Sequence, residues 1–155
     1  MGPRDVVRQA IADDAPAIGR LLHDFNVEFS EPAPAPEVVA RHVRALLEAG
    51  ELLVLLAGEA PEGLAVLRFR RSYWDGELEA YLQELYVVQP RRGRGLGRAL
   101  LEAAMAAARD AGATHLELTT SEGDVAARAL YESAGFTNRE GSPDGPVMLY
   151  YERAL

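Results

Sequence analysis

The 155-residue sequence predicts an α/β (α+β) fold, with a mixed, mostly antiparallel central sheet flanked by helices on both faces. Three observations lead there. Hydrophobic spacing keeps the helical period as far as Gly50 and changes to the strand period beyond it. The elements then follow in the order β-α-α-β-β-β-α-β-α-β. No internal repeat and no linker divides the chain, so residues 1–155 read as one domain, long enough to bury a single core.

Asp5–Gln9 alternate as an opening strand. In "ADDAPAIGRLLHDFNVEF", Asp13 or Asp14 is the expected N-cap, and Ile18, Leu21, Leu22 and Phe25 form one helical stripe. The alternate prolines of "SEPAPAPE" make a stiff loop. A second helix is expected from about Glu37 to Ala49, with Val38 or Val39, Val43, Leu46 and Leu47 inward and Gly50 ending it. Leu52–Ala57 and Leu64–Phe69 are strands joined by "GEAPEG", and Ala80–Val88 is a third. A long helix over Gly97–Ala111 turns Leu100, Leu101, Ala104 and Ala108 inward and stops at Gly112. His115–Thr120 is a strand and Asp124–Ala134 a helix capped by Asp124 and stopped by Gly135. Val147–Glu152 is a final strand.

A hydrophobic share of 48% and a charged share of 26% are ordinary for a globular protein. The longest apolar run, Leu52–Ala57, is too short to span a bilayer, and the first residues lack a secretory pattern. A cytoplasmic protein with no membrane partner is the simplest reading. The absence of cysteine excludes disulfides and thiolate catalysis. The net charge of -8 argues against nucleic-acid binding, which needs a basic face. His23, His42 and His115 are dispersed in no ligand pattern, so no metal is expected.

Against that acidic background stands "QPRRGRGLGRALL" at residues 89–101, with four arginines, three glycines and no acid. A glycine turn from a strand into a helix offers several unpaired main-chain N–H groups in one direction, and the helix dipole adds positive potential. Glycine lets an anion approach the backbone without a Cβ in the way. Two familiar phosphate turns fit badly. The Walker pattern needs a lysine that the chain lacks, and the dinucleotide pattern begun at Gly93 would need glycine where Arg98 stands.

What does fit is R-x-x-G-x-G, from Arg92 to Gly97. With "ELYVVQP" before it, "ALYESAGF" after it and the opening "VVRQAIADDAPAI", the chain resembles the GCN5-related N-acetyltransferase (GNAT) family over its whole length. The resemblance implies a GNAT-like fold and acetyl-CoA as acetyl donor. It implies that Arg92, Gly93, Arg94, Gly95, Leu96, Gly97 and Arg98 surround the pyrophosphate, with main-chain amides of Gly93–Arg98 wrapping it. Leu85 and Val87 would pair with the pantetheine amides as an added strand, and the Val87 N–H would hold the developing oxyanion.

Direct transfer in a ternary complex needs a base for the ammonium and an acid for the departing sulfur. Tyr131 matches the tyrosine that protonates the thiolate in many relatives; the alternative is a packed helix residue. Glu84 is the candidate base, directly or through water; the alternative is an arginine partner. Two positions depart from the family pattern. Gln83 stands where the polyamine-acetylating branch carries an acid, and Asp124 stands where relatives carry a cofactor-touching asparagine.

Acceptor pockets in the family are built from the first two helices and the loop between the third and fourth strands. Here those segments carry Glu28, with Asp24, Glu31, Phe25 and Phe29 nearby, and Tyr73, Trp74, Asp75 and Glu77. Acids mixed with aromatics suit a cationic small-molecule amine, with a peptide or protein N-terminus as the alternative acceptor. A non-catalytic acyl-CoA-binding module and a nucleotide-binding domain are readings from other classes, and the apolar "VMLYYERAL" permits a homodimer.

Overall fold

The computed structural model describes residues 7–155, so Asp5 and Val6 of the expected opening strand lie outside the described residues. The chain divides into two compact units, one reaching to Leu118 and the other Thr119–Leu155. In the first, β1 (Val7–Gln9) is followed by a 3₁₀ turn (Ala12–Asp14), α1 (Ala15–Glu28) and α2 (Pro36–Glu48). β2 (Leu53–Ala57), β3 (Gly63–Arg71), β4 (Leu78–Val87), α3 (Leu96–Asp110) and β5 (Ala113–Leu118) complete it. The strands form one sheet in the order β1-β2-β3-β4-β5, antiparallel except for the parallel β4–β5 pair. This is the mixed, mostly antiparallel sheet the sequence predicts.

Each face has its own core. Ile18 and Leu21 of α1 and Val43 of α2 pack with Val54, Leu56, Leu64, Val66 and Tyr86. The other face belongs to α3: a Cβ added to Gly63 would come within 3.0 Å of Leu100 Cδ1 and 3.3 Å of Val87 Cγ2. Alternation along β3 therefore sends Leu64 and Val66 toward α1 and α2, and Ala65 and Leu67 toward α3. The two N-terminal helices cross closely at Gly19, where a Cβ would meet the Pro36 carbonyl at 2.6 Å and the Ala40 amide nitrogen at 2.7 Å.

The start of α1 differs from expectation. Asp14 occupies the N-cap position but makes no side-chain cap bond there. Its carboxylate accepts from the Ile11 N–H at 2.8 Å and from Arg8 at 2.7 and 2.8 Å, because the intervening 3₁₀ turn points it back at β1. The Arg8 hydrogen bond, offset only partly by burial, lowers its pKa to about 2. β5 begins two residues before the expected strand and ends at Leu118, since the chain leaves Gly112 (φ 92°) already extended.

In the second unit, α4 (Val125–Ser133) is capped by Asp124, whose carboxylate accepts from the Ala127 N–H at 3.1 Å. The expected strand at Val147–Glu152 does not form. Arg139 and Val147 make an isolated bridge, and Met148, Leu149, Tyr150 and Tyr151 are exposed. Alternating apolar residues suit a strand, but only a hydrogen-bonded neighbour makes one. Among the described residues no helix is long and apolar enough to cross a membrane.

Candidate functional site

The site begins with an irregularity in β4. Val66 of β3 pairs with Glu84, yet the next residue, Leu67, pairs with Leu82. Gln83 is the extra residue of a β-bulge, exposed and hydrogen-bonded to Arg68 at 2.8 Å. Paired residues share a face, so the bulge turns Glu84 to the side of Val66 and Tyr86. Glu84 has no hydrogen bond or ion pair among the described residues, and burial pushes its carboxyl above the usual carboxylate range. A carboxylate without a cation beside it, with its proton affinity raised by desolvation, is a better proton acceptor than an ordinary surface carboxylate.

Beyond the bulge, no strand among the described residues pairs with the second side of β4. Its pairing with β5 ends at Leu82 and Leu118. The Val88 N–H donates to the Glu62 carbonyl at 2.9 Å, which fixes the phase of the antiparallel ladder. Main-chain groups of Glu84 and Tyr86 therefore face β3, and those of Leu85 and Val87 face away from it. These are the two residues for which the family resemblance implies strand-like pairing with a ligand.

The strand leads through a 3₁₀ turn (Gln89–Arg91) into the glycine segment. Gly93 and Gly95 both have left-handed backbone, at φ 76° and 84°. A Cβ at Gly93 would meet nothing within 4 Å, so the sign of φ, not crowding, is what demands glycine there. Gly95 is the N-cap of α3, with no side chain to satisfy the first turn. As a result the N–H groups of Gly93, Arg94, Gly95, Leu96 and Gly97 donate to no acceptor among the described residues. Consecutive free donors at the positive end of a 15-residue helix form an anion cradle.

The arginines around the cradle differ in commitment. Arg91 pairs with Glu62 at 2.9 Å. Arg92 faces away from the cradle: its Nη2 donates to Glu28 Oε1 at 2.9 Å and Oε2 at 2.6 Å, and its Nε donates to the Val87 carbonyl at 2.9 Å. Arg94 is exposed and has no ion pair among the described residues.

Glu28, expected among the acceptor-binding residues, also accepts a hydrogen bond from the Tyr86 hydroxyl at 3.1 Å. Burial first, and then that bond, raises the Tyr86 phenol above its ordinary range. Phe25 packs edge-on against Tyr86, with centroids 4.8 Å apart. On the β3–β4 connection, Tyr73 and Trp74 are 88% and 84% exposed, and their rings lie 5.2 Å apart. Asp75 accepts from the Glu77 N–H at 3.0 Å, and that bond, followed by one from Ser72, holds its carboxyl below the usual range.

In the second unit Tyr131 is half-buried on α4, its ring 6.0 Å from Phe136. Sequence reasoning missed the Glu28–Arg92–Tyr86 cluster, whose carboxylate and guanidinium are 64 residues apart. The bulge did leave a trace: the period-2 spacing of Ala80 and Leu82 breaks at Gln83 and Glu84.

Comparison with known proteins points to one family. The model of the Acetyltransferase (GNAT) family matches residues 18–136. A Bacillus subtilis (strain 168) protein, the uncharacterized N-acetyltransferase YhfO, is 31% identical over 137 residues, covering 87% of this chain and 91% of its own length. The aminoglycoside N(6')-acetyltransferase type 1 of Stenotrophomonas maltophilia is likewise 31% identical over 137 residues, covering 86% and 87%. A crystal structure from Arthrobacter sp. FB24, described as that of a candidate acetyltransferase, superposes with a TM-score of 0.88 at 45% identity, covering 97% of this chain and 96% of that one. The free donors of the glycine turn, the bulged strand and these matches lead to one assignment: the chain belongs to the GNAT family of acetyltransferases.

Proposed function

We propose that this GNAT-type N-acetyltransferase moves an acetyl group from acetyl-CoA to the primary amine of a cationic small molecule, by direct attack in a ternary complex. The observation that carries the reading is the run of free main-chain donors from Gly93 to Gly97 beside the open edge of β4. Those donors and Arg94, with Leu96, Gly97 and Arg98 on the first turn of α3, would hold the pyrophosphate. The main-chain groups of Leu85 would hold the pantetheine arm, leaving the N–H of Val87 for the thioester carbonyl. Acetyl-CoA supplies the activated thioester.

The chain's own groups then have separate tasks. Glu84 takes a proton from the acceptor ammonium, freeing the nitrogen lone pair to attack the acetyl carbon. The Val87 N–H donates to the carbonyl oxygen as it gains charge. Tyr131 gives its proton to the sulfur as the C–S bond breaks. Asp124 spends one oxygen capping α4 and keeps the other as a candidate cofactor contact.

A cationic acceptor is supported by the exposed Tyr73–Trp74 pair beside the ionised Asp75, which offers ring faces and a negative charge together. The match to an aminoglycoside N(6')-acetyltransferase points to the same class. The test is a thiol-release assay with acetyl-CoA across aminoglycosides, polyamines, amino acids and peptides. Turnover confined to polycationic small molecules is expected. Turnover of peptides alone would move the acceptor to a protein N-terminus, and CoA binding without turnover of any acceptor would leave a non-catalytic module.

A further inference from the structure

We propose that Glu28 is a positioning residue of the acetyl-transfer site, acting through Arg92, and not a contact for the acceptor amine. The inference rests on the acetyl-CoA reading above and assigns a task to a cluster that reading leaves unused.

Glu28 is the last residue of α1, where the negative end of the helix dipole makes a carboxylate unwelcome. It is held there by three hydrogen bonds. Arg92 Nη2 reaches both of its oxygens, and the Tyr86 hydroxyl donates to Oε1. The two side chains are 26% and 40% exposed, so the pair is partly screened by solvent, and it is the geometry of contacts to both oxygens that holds it. An incoming ammonium would have to displace a guanidinium already bound to both oxygens.

The same pairing fixes Arg92. Its guanidinium carbon lies 5.6 Å from the centroid of the Tyr86 ring, a cation–π distance, while Nε closes the Val87 carbonyl. The first arginine of the R-x-x-G-x-G pattern is therefore committed on three sides and turned away from the free donors that follow it. Two consequences bear on the donor site. The open edge of β4 is left with the N–H of Val87 but not its carbonyl, so a guest must offer an acceptor at that point. The orientation of the glycine turn is tied to the end of α1, from which the loop to α2 departs. That loop is itself fastened back on α1, the His23 ring nitrogen bonding the Pro34 carbonyl at 2.8 Å and the Asn26 amide donating to the Pro32 carbonyl at 3.1 Å. Donor turn and acceptor-side loop thus share one anchor.

Calorimetric titration of the full chain with CoA tests the proposal without any acceptor. Glu28→Gln and Arg92→Lys should each raise the CoA Kd on the order of tenfold, the worth of one charge-assisted hydrogen bond. The reversed pair, Glu28→Arg with Arg92→Glu, should recover most of the loss while either reversal alone does not. Thermal melts of the same samples separate the remaining outcomes. A lowered Tm with unchanged CoA Kd would mean a merely structural ion pair and would overturn the proposal. Unchanged CoA Kd with a raised KM for an aminoglycoside probe would restore Glu28 as an acceptor contact and overturn it too. A parent protein that fails to bind CoA would remove the acetyl-CoA reading itself, and the inference with it.

Discussion

Leu82 and Glu84 stand two residues apart on β4 yet face opposite sides of the sheet, Leu82 with Leu67 toward α3 and Glu84 with Val66 toward α1 and α2. The bulge at Gln83 separates them. In a regular strand residues two apart share a face, so without the bulge Glu84 would follow Leu82 into the apolar layer under α3.

Glu84→Gln should reduce kcat on the order of 10²-fold or more if the carboxylate takes the proton. Its raised pKa gives the parent an acid limb: activity falls as the pH drops to that raised value and Glu84 becomes protonated. The variant should lack this limb, and a parent-like pH profile in the variant would exclude Glu84 as the base. Stability moves the other way. A carboxyl whose folded pKa lies above its unfolded value favours folding fully only below the unfolded value, and loses that advantage as pH rises through the folded one. Glu84→Gln should therefore raise Tm at neutral pH, with the gain vanishing at acidic pH.

Gly95→Glu places a like charge, and a side chain in left-handed backbone, at the centre of the free donors. The strain costs about 1 kcal/mol, which leaves the fold intact. CoA affinity should fall on the order of 100-fold, equivalent to two charge-assisted hydrogen bonds. Calorimetry that returned the parent's affinity would place the pyrophosphate elsewhere.

Tyr131→Phe removes a hydroxyl and leaves the ring against Phe136. A kcat lower on the order of 10²-fold, with KM for both substrates held, is expected for a lost general acid. A more acidic leaving thiol in the donor should restore much of the rate. An unchanged kcat would leave Tyr131 as a packing residue only.

Gly19→Ala inverts the usual rule for helices. In an open helix the change stabilises by about 1 kcal/mol. Here the new methyl would meet main-chain atoms of Pro36 and Ala40 at 2.6–2.7 Å, and the backbone of α2 cannot yield as a side chain would. A net loss of about 1–3 kcal/mol is expected in denaturant melts. A gain would show that α1 and α2 separate freely.

Asp14→Asn tests acid tolerance. A carboxyl held at about 2 gives stability that is present above its unfolded value near 4 and is lost as pH falls through 2. Arg8 is half-exposed, so solvent screening limits the contribution to about 1 kcal/mol. Parent and variant should differ at pH 6 and converge at pH 2.

Much of the fold was legible because its signals are local. Gly50 marks a true change of period, Ile18 and Leu21 lie on a single stripe, and Gly112 ends α3 where expected. The glycine turn was legible for the same reason, since two left-handed positions in five residues require glycine. What escaped is held by partners distant in sequence. Nothing near Glu28 announces Arg92, and nothing in "VMLYYERAL" says whether a neighbouring strand exists to complete it. Asp14 looked like a helix cap because caps and 3₁₀ turns draw on the same residues.

The free edge of β4 has fixed limits. At one end β5 blocks it at Leu82, and at the other the chain bends into its glycines. The five residues from Gln83 to Val87 extend roughly 16 Å. Such a slot works as a ruler: a slender guest anchored by its charged end at the bend can reach only so far before β5 stops it. On the proposed reading, the length of the guest's arm would set where along β4 the carbon to be attacked lies, and an arm shortened or lengthened by a few bonds would present that carbon out of register.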